Sequence, residues 1–209
     1  MNKSVAKAVL ALIGDVPYAD KRLGLVQAAT KVYSSLEPDN GAPETKTFPI
    51  SAYATVSECS ASDTSLYDGV PDEKFKGILY FEDGSIQYIE SHGDGNRYES
   101  RIRLVGWLNV NRSIGNYRDD YVQIIVNDIL KRILRNPSTI GAFKKFRVTS
   151  VRMAEHSAAI FSKYDFVEER TQYLLPPFDF FAMDLEIQYS ISESCLESLD
   201  FLPGDQVVC

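Results

Sequence analysis

Phe181-Ala182-Met183-Asp184-Leu185-Glu186-Ile187-Gln188-Tyr189-Ser190-Ile191 alternates apolar and polar residues from Met183 onward. Successive side chains of a strand point to opposite faces. Phe181, Met183, Leu185, Ile187, Tyr189 and Ile191 therefore share one face, and Asp184, Glu186, Gln188 and Ser190 the other. One buried and one solvated face indicates a strand of an antiparallel sheet.

Upstream lies what covers such a sheet. Between Tyr121 and Leu134, apolar residues fill two adjacent rows at helical spacing: Tyr121, Ile125, Ile129, Ile133 and Val122, Val126, Leu130, Leu134. That wide stripe predicts a helix lying flat on the sheet. Asp119 and Asp120 precede it and Lys131, Arg132 and Arg135 end it, the arrangement the helix dipole favours. Residues 143–151 read as a further strand and 153–164 as a short helix.

Further back, Ile78-Leu79-Tyr80-Phe81-Glu82 and Ser85-Ile86-Gln87-Tyr88-Ile89-Glu90 flank Asp83-Gly84, which predicts a two-residue type I′ hairpin turn. A glycine-rich connection, 91–96, leads to a long strand over 98–111, with Ile102 and Leu104 inward and Glu99, Arg101 and Arg103 outward. Around Val105-Gly106-Trp107-Leu108 both faces turn apolar, so that half should be covered on both sides. Residues 48–56 alternate as a strand with Pro49 near its start. Residues 57–76 show no period and read as a binding loop or an excursion ordered by a neighbour. At the N-terminus, Val5, Val9, Leu12 and Ile13 predict one helix. Leu25, Val26, Ala29, Val32 and Tyr33 predict a second, over 20–36. The expected class is α+β: a mostly antiparallel sheet, an amphipathic helix on one face and an N-terminal helical pair. Residues 1–192 form one domain in this reading, and 193–209 an acidic, apolar interaction tail.

Composition narrows the function. Net charge is −7, and it is uneven: residues 165–209 hold ten acids against Arg170 alone, while the first 164 residues carry a slight positive balance. Such a chain is poorly suited to tight nucleic-acid binding, which neutralises phosphates. The acidic end reads as a solvated face, or as a surface that repels DNA or meets a basic partner. Cys59, Cys195 and Cys209 match no zinc or redox spacing and read as reduced thiols in cytosol-like conditions. No stretch approaches a membrane span in length, so no membrane partner is expected.

Chemistry-bearing patterns are sparse. His92 and His156 are the only histidines, and neither has a ligand-type residue at metal spacing. Gly93-Asp94-Gly95-Asn96-Arg97 leads into a strand, whereas a phosphate cradle opens a helix. No catalytic, cofactor-binding or metal residue is assigned, no cofactor is expected, and the expectation is a non-enzymatic protein that assembles with others. One enzyme likeness exists. Residues 160–168, Ile-Phe-Ser-Lys-Tyr-Asp-Phe-Val-Glu, followed by the strand at 181–185, resemble the C-terminal helix and strand of Gcn5-related N-acetyltransferases. The pyrophosphate-binding glycine loop of those enzymes is missing, and Asp165 stands where they carry glycine.

A broader likeness covers about residues 75–192. The helix after a long β layer, Leu104-Val105-Gly106-Trp107-Leu108-Asn109, and the entry Pro176-Pro177-Phe178-Asp179-Phe180-Phe181 to the last strand carry it. Together they are similar to tail-completion and connector proteins of tailed bacteriophages, most like neck ring proteins of crAss-like phages. The resemblance implies a homo-oligomeric ring, six- or twelve-fold, in the virion neck. Its subunits are made in the bacterial host cytoplasm and meet portal, tail or other neck proteins. Double-stranded DNA passes through the lumen without specific binding. On this reading Leu66, Tyr67, Leu196, Leu199, Phe201 and Leu202 are the candidate subunit contacts, and Asp184 and Glu186 a candidate acidic lumen face. The other readings are a small acyltransferase and an intracellular protein-binding module.

Overall fold

The structure is a computed structural model describing residues 1–33, 44–52, 68–93, 95–115, 120–135, 143–152, 160–165 and 170–192. The alternating stretch at 181–191 lies within strand β6 (Phe178–Ser192). Its neighbours are β4 (Gly95–Asn109) and β5 (Phe143–Arg152), both antiparallel to it. Beyond β4 come β3 (Gly77–His92), β1 (Lys21–Tyr33) and β2 (Glu44–Ser51), giving the order β2-β1-β3-β4-β6-β5. Only β1 and β3 run parallel. Helices α1 (Asn2–Ile13), α2 (Val110–Ile114) and α3 (Tyr121–Arg135) complete an α+β chain.

Apolar side chains fill both faces of the central strands. On one face α1 and α3 bring Val9, Ile13, Ile125 and Ile129 against Leu104 and Met183, all buried. On the other, Tyr80, Trp107 and Phe180 meet Phe161 and Tyr173. The doubly apolar stretch at 105–108 thus lies between two cores, as its sequence requires. Trp107 donates its indole N–H to the Tyr173 carbonyl at 2.6 Å and stacks on Phe178, centroids 5.4 Å apart. In α3 the buried stripe is Tyr121, Val122, Ile125, Val126, Ile129 and Ile133, while Leu134 stays half exposed.

The N-terminal helical pair is corrected to one helix and one strand. Residues 21–33 pair with β2 along their outer half and with β3 along their inner half. Adjacent Leu25 and Val26 point into the two different cores, which a strand buried on both faces allows. Val26, Thr30 and Val32 are β-branched, and Gly24, at φ 68°, sits in the irregularity of the β1–β3 register. Sheet pairing overrides a helical spacing that the apolar residues also happen to satisfy.

The hairpin turn also moves. β3 runs straight through Asp83-Gly84, and the register against β4 slips there as a bulge. A Cβ on Gly84 would collide with the Arg101 carbonyl, so the glycine permits a close strand approach. The turn lies between His92 and Gly95, where Gly93 takes φ 58°. Asn2 at the start of α1 latches the bulge, its Nδ2 donating to Asp83 Oδ1 at 2.5 Å.

Two smaller adjustments follow from packing. β2 begins four residues earlier than its alternation suggests, with Phe48 and Ile50 buried and Pro49 tolerated on an edge strand. Residues 57–67 of the expected excursion lie outside the described residues. Its end packs on the domain, with Val70 buried and Lys21 paired to Asp68 at 2.5 Å. Of the short helix expected over 153–164, residues 153–159 lie outside the described residues, and Ile160 and Phe161 are helical and buried. No helix among the described residues is long and apolar enough to cross a membrane.

Candidate functional site

Two surfaces stand out. The first is a charged ladder on the sheet face opposite α1 and α3, beyond the second core. Register places Glu82 beside Arg103, Arg103 beside Asp184, and Asp184 beside Ser150. Two residues further along β4 and β6, and three along β5, where the register slips, Arg101 faces Glu186 and Glu186 faces Arg147.

The carboxylates in this ladder are all engaged. Asp184 accepts from Arg103 Nε at 2.7 Å, Ser150 Oγ at 2.5 Å and Arg152 Nη2 at 3.3 Å. Burial opposes ionisation of Asp184, but these donors and charges outweigh it and hold its carboxyl below the ordinary range. Glu186 pairs with Arg147 at 2.6 Å and Arg101 at 3.3 Å. The outward face of β6 is therefore half-buried and charge-compensated where the alternation alone implies a solvated acidic face.

Glu82 is only 3% exposed. Tyr164 Oη donates to its Oε1 at 3.0 Å, and Lys163 Nζ stands 2.8 Å from Oε2. Burial, then the charge of Glu82, drives the Tyr164 phenol far above its usual range and keeps it a donor. Tyr80 Oη, fully buried, has no hydrogen-bond partner among the described residues. A shallow depression of about 360 Å³ opens over Glu82, Gly84, Arg103, Lys163 and Asp184. Glu82, Asp184 and Glu186 are each ion-paired across neighbouring strands, so the arrangement ties β3, β4, β6 and β5 together. Ser150, the ladder's hydroxyl, is committed to Asp184.

The second surface is the far half of β3. Pairing with β1 ends at Glu82, while β1 continues alongside β2. Every residue from Asp83 to Ser91 is exposed. Three of them are large and apolar: Ile86 at 43%, Tyr88 at 57% and Ile89 at 39%. Tyr88 begins an aromatic row across the sheet, 5.9 Å from Tyr98, which in turn lies 6.0 Å from Tyr189.

No protein-family model matches the chain, and no curated protein is similar to it in sequence. Function must be read from these surfaces.

Of the residues singled out from sequence, Asp184 and Glu186 come together in the ladder. Leu66, Tyr67, Leu196, Leu199, Phe201 and Leu202 lie outside the described residues, as do Cys59, Cys195, Cys209 and His156. The acetyltransferase-like segment buries Ile160, Phe161 and Tyr164. Asp165, at the position of those enzymes' glycine, accepts from the Thr47 backbone N–H at 2.5 Å and so ties this segment to β2. Among the described residues no three His, Cys, Asp or Glu side chains are grouped to hold a metal.

Sequence reading missed the ladder and the exposed β3 edge. The signal for the ladder was present in Glu99-x-Arg101-x-Arg103 and Asp184-x-Glu186-x-Gln188. These outward faces become complementary once β4 and β6 are neighbours.

Proposed function

We propose that the chain is a non-enzymatic structural subunit of a tailed-phage virion neck. Copies form a cyclic ring that joins the portal to the tail and lets double-stranded DNA pass without specific binding. The likeness of residues 75–192 to phage connector proteins suggests the reading. The observation that carries it is the far half of β3: an exposed strand edge bearing Ile86, Tyr88 and Ile89. Proteins that work alone blunt such edges, because open backbone groups beside apolar side chains recruit other chains. A subunit awaiting its neighbour keeps them. Identical subunits joined head to tail close into a ring when the rotation per copy fits.

The compensated ladder modifies one part of this picture. Asp184 and Glu186 are matched by arginines, so these two carboxylates alone would not make a DNA-repelling wall.

Native mass spectrometry and electron microscopy of the purified chain test the reading. A closed ring is expected, with a mass that is an integer multiple of 23.5 kDa. A monomer at tens of micromolar that acetyl-CoA stabilises against heat would replace it with the acyltransferase reading.

A further inference from the structure

We infer that the contact between copies is a shared sheet, in which β5 of one copy pairs antiparallel with the far half of β3 of the next. The inference rests on the ring reading above and names the surface that makes it.

Three features of the sheet meet in this assignment. The first is availability. β5 ends the strand order, and among the described residues it pairs only with β6. The outer side of Asp83–His92 has no strand partner beyond Glu82 among them either. Each open edge is ten residues long.

The second feature is charge. β5 carries Lys144, Lys145, Arg147 and Arg152 and no acid, while Asp83–His92 carries Asp83 and Glu90 and no lysine or arginine. Lysines on an edge discourage indiscriminate pairing. Arg147 and Arg152 already pair with β6 carboxylates and Glu90 with Arg97. That leaves Lys144 and Lys145 facing an edge that adds no cation of its own and favours them over a second basic edge. Two β5 edges brought together would set lysine against lysine.

The third feature is direction. β3, β4, β6 and β5 are successively antiparallel, so β5 runs opposite to β3. A rotation axis along the strands leaves every copy pointing the same way. The β5 of one copy then meets the β3 of its neighbour antiparallel, with no strand reversed. Because the two edges are different surfaces, the contact repeats from copy to copy and generates a ring. Main-chain hydrogen bonds supply the join, and Ile86, Tyr88 and Ile89 lose their water in it.

Two surface variants of the full chain test this. Ile86→Lys/Tyr88→Lys spoils the β3 edge, and Lys144→Glu/Lys145→Glu spoils the β5 edge; all four residues are exposed. Masses are read by native mass spectrometry beside the wild type. Each variant alone is expected to fall from the ring mass to the monomer. An equimolar mixture is expected to regain species of two copies or more, which also shows that both variants fold. If both variants keep the wild-type ring mass, the shared sheet is wrong and the ring survives. If the β5-edge variant alone still dimerises while the other does not, β3 pairs with β3 and the assignment is overturned. A wild type that is itself monomeric removes the ring reading.

Discussion

Phe181 on β6 lies across Gly106 on β4, so that a Cβ on Gly106 would stand only 2.3 Å from the ring carbon Cε1, with Leu79 Cδ2 3.0 Å away. Both flanking side chains are fully buried and have no room to retreat. Gly106→Ala should therefore destabilise the fold by about 1–3 kcal/mol as an overpacked core. Combining it with Phe181→Leu, which empties the contested space, should cost less than the sum of the two single changes. Trp107 is the one tryptophan and is buried, so its fluorescence follows urea unfolding directly. Strict additivity of the two changes would show that the ring and the glycine do not confine each other.

Arg132 of α3 holds the end of α1. Its Nη1 donates to the carbonyls of Ile13 at 3.1 Å and Asp15 at 3.2 Å, while Nε donates to Asp128 Oδ2 at 2.7 Å. Tyr18 Oη donates to the same Asp128 oxygen at 3.1 Å. One planar guanidinium thus serves helix-end carbonyls and a carboxylate together. Arg132→Met should cost about 1–2 kcal/mol in urea unfolding. Arg132→Lys should recover little of it, because an ammonium lacks the fork geometry. Full recovery by lysine would reduce the role to simple charge.

Acid should weaken the fold through Asp184. Its folded carboxyl titrates below the unfolded value, held there against burial by Ser150, Arg103 and Arg152. The unfolded chain then binds the extra proton first as pH falls. The stabilisation is complete above the unfolded value near ~3.9 and disappears as pH drops through the lower folded one. Asp184→Asn should be less stable than the wild type at pH 7, and the gap should close as pH falls below about 4. Urea midpoints at pH 7, 5 and 3 measure it. A gap that stays constant across that range would place the acid response elsewhere.

These cases show which parts of the fold could be read in advance. β6 and α3 were legible because one face of each dominates its apolar spacing. β1 was not, because Leu25 and Val26 enter opposite cores and their adjacency mimics a helical stripe. Asp83-Gly84 carries the residues of a tight turn, yet β4 and β6 extend past it and hold β3 straight, so the same glycine serves a bulge. The ladder joins residues far apart in the chain, such as Arg103 and Asp184, and only strand order brings them together. The exposed β3 edge was hidden for the same reason: whether a strand is covered depends on where its neighbour stops.

Reversing the two β6 carboxylates bears on both stability and the proposed lumen. Asp184→Lys with Glu186→Lys would set two new cations among Arg101, Arg103, Arg147 and Arg152, each of which now has a carboxylate partner there. The groups are partly exposed, so solvent screens some of the repulsion. Loss of the pairs together with like charges in contact should still lower the melting temperature markedly, and added salt should restore part of it by shortening the range of the repulsion. Differential scanning fluorimetry at low and high salt reads both effects. Any assembly or DNA-passage defect of this variant would then reflect weakened β4–β6–β5 pairing before it could report on a repelled DNA. A variant melting like the wild type in low salt would mean the ladder's ion pairs are dispensable for folding.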